Sequence, residues 1–190
     1  RAGDNGLDAE LIDRNRLTEL EPNCAGIEAI HVPSTGIVSY AAVCEVLSHQ
    51  IETAGGSIRY ETNVLGIEDS EQGARISTSA GEIIAGLIVN CAGLRCDQVA
   101  EMVGASDGNR IVPFRGEYYE LVPERRDLVN GLIYPVPDPS FPFLGVHLTR
   151  MIDGAVHAGP NAVLALDREG YRWRDVSAKQ ILEHLANRGL

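Results

Sequence analysis

The second half of the sequence constrains the fold most, because strand-length runs alternate there with residues that favour turns. The runs cover Arg110 to Val122, Gly131 to Val136, Pro142 to Thr149 and Ala155 to Ala158, and the segments between them are rich in proline, aspartate and glycine. Runs of this length, broken by such residues, are typical of strands joined by tight turns. We therefore predict an antiparallel sheet from residue 110 onward.

The middle of the chain carries the clearest helical signal. From Ser39 to Ala54 the apolar residues recur on one helical face, Ser39 can cap the first turn, and Gly55 with Gly56 can end the helix. The apolar residues are Val43, Val46, Leu47 and Ile51. The pattern predicts a helix over these positions.

Strands and a second helix are predicted to follow. Shorter runs favour strands, and they cover Ser57 to Tyr60, Val64 to Glu68 and Ala74 to Ser79. The more continuous apolar run from Ile83 to Asn90 predicts a strand that is buried on both faces. It leads into a short helix from about Leu94 to Val103. Residues 39–103 are thus interpreted as an α/β unit.

Further helices are predicted near both ends of the chain. One runs from Asp8 to Leu20 with Asp8 as its cap, and a strand from Ile27 to Val32 follows it. Another runs from Ser177 to Asn187 and opens with the capping box formed by Ser177 and Gln180. The predicted fold class is α+β, in which an α/β portion is joined to a mainly antiparallel sheet.

The charge of the chain excludes some partners. Asp and Glu number 27 against 16 Lys and Arg, which gives a formal net charge of -11. An acidic surface repels nucleic-acid phosphates and the anionic face of a membrane. We expect no nucleic-acid partner and a cytoplasmic location, and we leave open peripheral attachment of the full-length protein to the inner membrane. The sequence has no signal peptide and begins without Met, so we interpret it as a piece of a longer protein.

The sequence contains no self-sufficient catalytic or metal-binding motif. The cysteines (Cys24, Cys44, Cys91 and Cys96) form no C-x-x-C pair and are expected to be free thiols in the core. His49 and His184 are expected at the surface. His147 and His157 could lie on neighbouring strands, where a metal would need a third ligand that is not evident, so we predict hydrogen-bonded strand histidines and no metal site.

Three clusters of polar and aromatic residues suggest a functional role in addition to a structural one. They cover residues 31–40, 113–119 and 134–162. The first joins a strand to a helix N-terminus, which attracts anions. On composition alone, these clusters predict a pocket for a small acid.

The same clusters resemble a known family. The stretches HVPSTGIVSY, AGGSIRYETNVLGIE, VNCAGLRCDQVAEMVG, RIVPFRGEYYEL, IYPVPDPSFPFLGVHLT and GPNAVLALDREGYRW are similar, in order and spacing, to the L-2-hydroxyglutarate oxidase/dehydrogenase family of FAD enzymes, within the D-amino-acid-oxidase-like group. The resemblance runs from about Leu20 to Trp173. It implies an FAD-binding domain interleaved with an antiparallel-sheet substrate domain.

The resemblance also implies how the chain is divided. Residues 1–38 would be a lead-in to the substrate domain, 39–109 the central part of the FAD-binding domain, and 110–190 the substrate domain. The family's dinucleotide fingerprint and a later flavin-contacting segment match nothing in the chain, so these residues alone are expected to be inactive. Val64 matches the strand near the adenine, and Cys91, Ala92 and Gly93 match the turn that approaches the FAD phosphates.

The implied reaction is oxidation of L-2-hydroxyglutarate to 2-oxoglutarate. For the base that takes the hydroxyl proton the first candidate is His147 and the second is His31. Arg115 is interpreted as a carboxylate ligand or, alternatively, as the ion-pair partner of Glu117 or Glu120. The candidate hydrogen-bond donors to substrate, with sheet packing as the alternative, are Tyr118, Thr149 and Asn161.

Several alternatives stay open at this stage. The electron acceptor could be oxygen, a quinone or an electron-transfer protein. The enzyme could be a related flavin oxidoreductase acting on an amino acid or on glycerol 3-phosphate. The isolated chain could also be a non-catalytic module that binds a small acid or a partner chain, and we expect some self-association through surface that a larger fold would cover.

Overall fold

The computed structural model describes residues 3–71, 73–106, 108–140 and 145–186. The chain forms two compact units, each built from two segments. The first unit comprises Arg1–Gln50 and Gly116–Ala162, and the second comprises Ile51–Arg115 and Val163–Leu190. These bounds differ from the sequence-based division after residues 38 and 109. The assignment of cofactor and substrate roles to particular segments stays a prediction.

The first unit begins with a strand where a helix was predicted. β1 (Glu10–Asp13) pairs antiparallel with β2 (Glu28–His31), and α1 (Arg14–Leu20) lies between them in the chain. The helix starts only at Arg14 because the backbone before it is engaged in the β1–β2 ladder. Asp13, rather than the predicted Asp8, is the cap, since its side chain accepts the Arg16 N–H at 2.9 Å.

The predicted central helix is present as α2 (Tyr40–Thr53). The Ser39 hydroxyl accepts the Ala42 N–H at 3.3 Å, which confirms the predicted cap. The helix ends at Thr53, and Gly55 follows with a φ of 84°, in the left-handed region that favours glycine. No side chain of α2 is buried, so its apolar stripe is open in this structure.

Strands from residue 114 onward form a four-stranded sheet, which confirms the antiparallel sheet predicted for this part of the chain. Its strands are β6 (Phe114–Glu120), β7 (Leu132–Ile133), β8 (His147–Arg150) and β9 (Val156–Leu164). The strand order is β6-β9-β8-β7, and β8 pairs antiparallel with both β7 and β9. Val156, the first residue of β9, is fully buried and is part of the apolar core.

The second unit contains a three-stranded antiparallel meander. β3 (Val64–Ser70), β4 (Gly73–Thr78) and β5 (Gly81–Ala85) pair in chain order. A 3-10 turn at Gly93–Arg95 leads into α3 (Cys96–Met102), which packs on β3. The sheet here is antiparallel, whereas an α/β unit was predicted.

Two strand predictions in this region are wrong. Residues 57–60 form no strand, and β5 ends at Ala85, well before Asn90. The predicted burial is also absent, since Leu87 is 82% exposed and Val89 is 75% exposed. The physical reason is that β5 lies at the edge of the meander, with a strand on one side only.

The last helix is α4 (Ala178–Ala186), and the Ser177 hydroxyl accepts the Gln180 N–H at 3.3 Å, as the capping box predicts. His184 is buried, contrary to the surface position predicted, and its Nε2–H donates to the Ala165 carbonyl at 2.9 Å. His49 is exposed as expected. The cysteines are free, but Cys44 and Cys91 are exposed, so the expectation of core thiols is wrong for them.

No helix in the described ranges is both long and apolar enough to cross a bilayer.

Candidate active site

The central residue of the candidate site is His147, the first residue of β8. Its side chain is buried, with 9% relative exposure. Nδ1 lies 3.1 Å from the Gly145 carbonyl oxygen. Because a carbonyl oxygen can only accept, Nδ1 must carry the hydrogen, and the lone pair of the neutral ring is then on Nε2. The geometry therefore selects one tautomer of His147 and presents Nε2 as the basic nitrogen.

Two tyrosine rings contact the imidazole of His147. Tyr134 directly follows β7 and stacks on His147, with ring centroids 4.4 Å apart and an interplanar angle of 17°. The β7–β8 register, in which Ile133 faces Leu148, continues to bring Tyr134 opposite His147. Tyr118 from β6 meets His147 edge-on at 6.4 Å and 72°. The sheet thus brings two aromatic rings into contact with one histidine.

Glycines make the space that the Tyr118 ring occupies. A Cβ on Gly159 would stand 2.7 Å from Tyr118 Cδ1 and 2.9 Å from the Glu117 carbonyl oxygen. A Cβ on Gly116 would stand 3.0 Å from Tyr118 Cε2. Gly159 is the register partner of His147 across β8 and β9. The ring of Tyr118 can therefore lie against the backbone only because both positions lack side chains.

His157 and Thr149 extend the cluster along the same sheet. They face each other across β8 and β9, and the His157 ring lies 6.0 Å from Tyr118. Thr149 is two residues from His147, so the two side chains leave the same face of β8. Tyr134 and His157 were not among the predicted site residues. The β7–β8 register that brings Tyr134 opposite His147 could not be counted from the predicted turns, whereas the neighbourhood of His147 and His157 was considered only as a possible metal pair.

Two other predicted residues lie on different strands from His147. His31 ends β2, where it faces Glu10 in the two-stranded sheet. Asn161 is exposed, two positions beyond Gly159 in β9. Their proposed roles stay predictions.

Arg115 is buried, with 6% relative exposure, and its guanidinium carbon lies 4.5 Å from the centroid of the Trp173 ring. This distance is typical of a cation–π contact. Arg115 and Tyr118 are three residues apart in β6, so their side chains leave opposite faces of the strand. Of the alternative partners, Glu120 pairs with Arg126 at 2.6 Å. The carboxylate-binding role of Arg115 stays a prediction.

The segment predicted to approach a diphosphate is open in the second unit. Cys91, Ala92 and Gly93 are exposed, and Gly93 has a φ of 52° with nothing within 4 Å of the place a Cβ would take. It opens the 3-10 turn that leads into α3. A bare backbone of this kind is what the close approach of a diphosphate requires. Val64, which begins β3, is 40% exposed. The open backbone at Gly93 is compatible with a diphosphate, and the cofactor roles of Val64, Cys91, Ala92 and Gly93 stay predictions.

A buried ion pair holds the start of α3 in the same unit. Arg168 donates to both carboxylate oxygens of Asp97, at 2.6 and 3.1 Å, and to the Leu94 carbonyl at 2.6 Å. The Asp97 carboxylate also accepts the backbone N–H of Ile111 at 3.0 Å. Burial raises the pKa of Asp97, but the hydrogen bonds from Arg168 and from the backbone outweigh it, so the pKa is lowered overall.

Within the described residues no group of three or more His, Cys, Asp or Glu side chains is arranged to hold a metal ion.

The comparisons with known proteins agree with the fold and with the residue pattern. The family model described as FAD dependent oxidoreductase matches residues 1–188. The chain is 48% identical over 191 residues to the L-2-hydroxyglutarate dehydrogenase of Escherichia coli K12, and the match covers 100% of this chain and 45% of that protein. It is 43% identical over 192 residues to the human mitochondrial L-2-hydroxyglutarate dehydrogenase, covering 95% of this chain and 42% of that protein. The chain thus spans under half the length of these relatives.

Solved structures share the fold at low identity. The glycine oxidase of Bacillus cereus superposes with a TM-score of 0.67 at 18% identity, covering 95% of this chain and 46% of that one. The L-proline dehydrogenase of P. horikoshii superposes with a TM-score of 0.65 at 16% identity, covering 97% of this chain and 48% of that one. At these identities the likeness shows the fold alone, which is the mixed, antiparallel-sheet architecture predicted from the sequence.

Proposed function

Because this chain belongs to the family of FAD-dependent oxidoreductases, we propose that the intact protein carrying it oxidises L-2-hydroxyglutarate to 2-oxoglutarate with FAD as cofactor. The names of the relatives and the motif resemblance support the substrate. The observation that carries the proposal in the structure is His147, which is buried and is held as the Nδ1–H tautomer by the Gly145 carbonyl. A neutral imidazole in this state suits the removal of a hydroxyl proton.

The chain's own residues would act on the proton and on the orientation of the substrate. His147 Nε2 takes the proton of the C2 hydroxyl, and burial of the ring limits competition from water. Tyr118 and Thr149, which flank the imidazole, supply hydroxyl donors that orient the substrate oxygens. When bound, FAD would supply the acceptor for the hydride that leaves C2.

Other residues are proposed on the resemblance with less support from the structure. Arg115 is the candidate ligand of one substrate carboxylate on the resemblance alone, because its side chain leaves β6 on the face opposite Tyr118 and lies against Trp173. Asn161 is a further donor, and His31 is the second candidate base. Val64 and the turn Cys91–Gly93 are proposed to contact the adenine and the phosphates of FAD.

The test of the proposed function uses the intact protein under anaerobic conditions. We expect L-2-hydroxyglutarate to bleach the visible flavin band and the D enantiomer to leave it unchanged. Bleaching by an amino acid or by glycerol 3-phosphate instead would move the protein to a different substrate within the same family. A colourless protein that cannot be reconstituted with FAD would favour a binding module.

A substitution tests the base directly. We expect His147→Gln to lower the rate of flavin reduction by about 100-fold or more, while leaving the bound flavin spectrum intact. His31→Gln is the matched comparison, because His31 lies in a different sheet. A larger loss in His31→Gln than in His147→Gln would reassign the base to His31.

The partners and location of the intact protein are also proposals. Oxygen and a quinone are the candidate electron acceptors, and reoxidation rates measured with each decide between them. The expected cytoplasmic location and self-association are tested by cell fractionation and light scattering.

A further inference from the structure

The imidazole of His147 is fixed by two contacts that act in different directions. The hydrogen bond from Nδ1 to the Gly145 carbonyl, at 3.1 Å, lies at the ring edge and opposes a flip of the ring. A flip would turn a carbon toward that oxygen and lose the bond. The Tyr134 ring, stacked at 4.4 Å and 17°, covers one face and opposes a tilt. Together the contacts leave the imidazole little freedom to reorient.

The position of Tyr134 is itself fixed from outside the sheet. The Glu21 carboxylate, just after α1, accepts the Asn130 N–H at 3.0 Å and the Gly131 N–H at 2.6 Å. These two residues immediately precede β7, and Tyr134 immediately follows it. The end of α1 thus holds the strand that presents the tyrosine, although Tyr134 itself is 53% exposed.

We propose that Tyr134 is a positioning residue for His147. Its ring keeps the imidazole oriented so that Nε2 faces the substrate hydroxyl, and it stabilises the imidazolium that forms when the proton arrives. This inference rests on the proposed function, because it takes His147 as the base. It adds a residue whose role is carried by its aromatic ring rather than by its hydroxyl.

The electrostatics of the surrounding groups are consistent with this role. Among the described residues, the titratable side chains in ring contact with His147 are Tyr134 after β7 and Tyr118 in β6, and His157 in β9 contacts Tyr118 in turn. The face of an aromatic ring attracts a cation, so the Tyr134 ring stabilises the positive charge that develops on the imidazole as it takes the substrate proton.

The test uses the intact, FAD-loaded protein and three variants. Tyr134→Leu removes the ring, Tyr134→Phe keeps the ring and removes only the hydroxyl, and Tyr119→Leu is the matched control at another exposed tyrosine (77%). We expect Tyr134→Leu to lower kcat by about 10- to 100-fold with little change in KM. Tyr134→Phe and Tyr119→Leu should match the wild type.

Three kinetic results would overturn the inference. Tyr134→Leu could leave kcat unchanged, or it could raise KM alone, which would make Tyr134 a substrate contact. Tyr134→Phe could also be as damaging as Tyr134→Leu, which would assign the effect to the hydroxyl.

A second measurement needs no substrate. The ¹⁵N shifts of His147 in the intact protein should show the Nδ1–H tautomer in the wild type and in Tyr134→Phe, and an average of both tautomers in Tyr134→Leu. An Nε2–H tautomer in the wild type, or unchanged shifts in Tyr134→Leu, would overturn the inference. If wild-type flavin is not bleached by L-2-hydroxyglutarate, the proposed substrate fails, and the tautomer measurement still decides the role of Tyr134.

Discussion

Arg168 and Asp97 form a bidentate ion pair in which their side chains are only 7% and 5% exposed, although 71 residues separate them in the chain. The pair joins the loop after β9 to the start of α3 within the second unit. Each partner is also hydrogen-bonded to backbone, so both charges are compensated locally. A buried pair of this kind is costly to break one side at a time.

The first prediction follows from that cost. Asp97→Asn leaves the Arg168 guanidinium buried without a counter-charge, so the free energy of unfolding of the intact protein should fall by about 3 kcal/mol or more. Glu169→Gln is the control, because the Arg95–Glu169 pair at 2.8 Å is 54% and 58% exposed and should contribute less than about 1 kcal/mol. Denaturant titration measures both, and equal losses would contradict the buried-pair account.

The second prediction concerns pH. The pKa of Asp97 is lowered in the fold below its ordinary value of 3.8, so the carboxylate contributes stability above that pH. The contribution is lost as pH falls from 3.8 through the lower folded-state pKa. We expect the stability difference between wild type and Asp97→Asn to shrink in this acid window and to be constant from pH 5 to neutrality. A difference that grows on acidification would contradict the assignment.

The third prediction concerns Gly159. A Cβ at this position would lie 2.7 Å from Tyr118 Cδ1 and 2.9 Å from the Glu117 carbonyl oxygen. The carbonyl belongs to the backbone and cannot rotate away as a side chain could. Gly159→Ala should therefore destabilise the protein by about 1–3 kcal/mol and weaken substrate turnover through displacement of Tyr118. Gly86→Ala, with nothing within 4 Å of its Cβ position, is the control and should change stability little. Thermal unfolding and steady-state rates provide the measurements.

The fourth prediction concerns Glu21, whose carboxylate accepts two consecutive backbone N–H groups. Glu21→Ala leaves both donors without that acceptor and should cost about 1–2 kcal/mol. Glu19→Ala removes only the pair with Arg16, whose side chains are 52% and 65% exposed, and should cost about 0.5 kcal/mol or less. Hydrogen exchange at Gly131 should accelerate in the first variant and stay at the wild-type rate in the second.

The fifth prediction separates backbone strain from cofactor binding. Gly93 and Gly104 both have positive φ, 52° and 66°, and both have open space at the Cβ position. Alanine at either position should therefore cost a similar amount of stability, about 1 kcal/mol. Only Gly93→Ala should reduce flavin retention, measured as the ratio of visible to ultraviolet absorbance after gel filtration. Equal flavin loss in both variants would remove Gly93 from the cofactor segment.

Elements with local signals were predictable from the sequence. The caps at Ser39 and Ser177 lie within three residues of the N–H groups they bond, so the starts of α2 and α4 could be read from the chain. The turn residues between strand-length runs likewise indicated the sheet that contains β8 and β9. In each case the residues that interact are close together in the sequence.

Elements decided by distant partners were not predictable. Residues 10–13 carry a helical pattern, but their pairing with residues 28–31 makes them a strand. The buried His184 side chain hydrogen-bonds to the Ala165 carbonyl. The Gly131 N–H donates to the carboxylate of Glu21, 110 residues away. The candidate base was predicted as His147, whereas the Tyr134 stack emerged only once the β7–β8 register was known.

The interleaving of the two units has a consequence for how the protein is made. The first unit takes its first segment from residues 1–50 and its second from residues 116–162, and the whole first segment of the second unit is synthesised in between. On the ribosome, the strands β1 and β2 therefore emerge long before the sheet that completes their unit. The first unit cannot complete its core before residues 116–162 have been synthesised, so the nascent chain carries this unit incomplete while residues 51–115 are made.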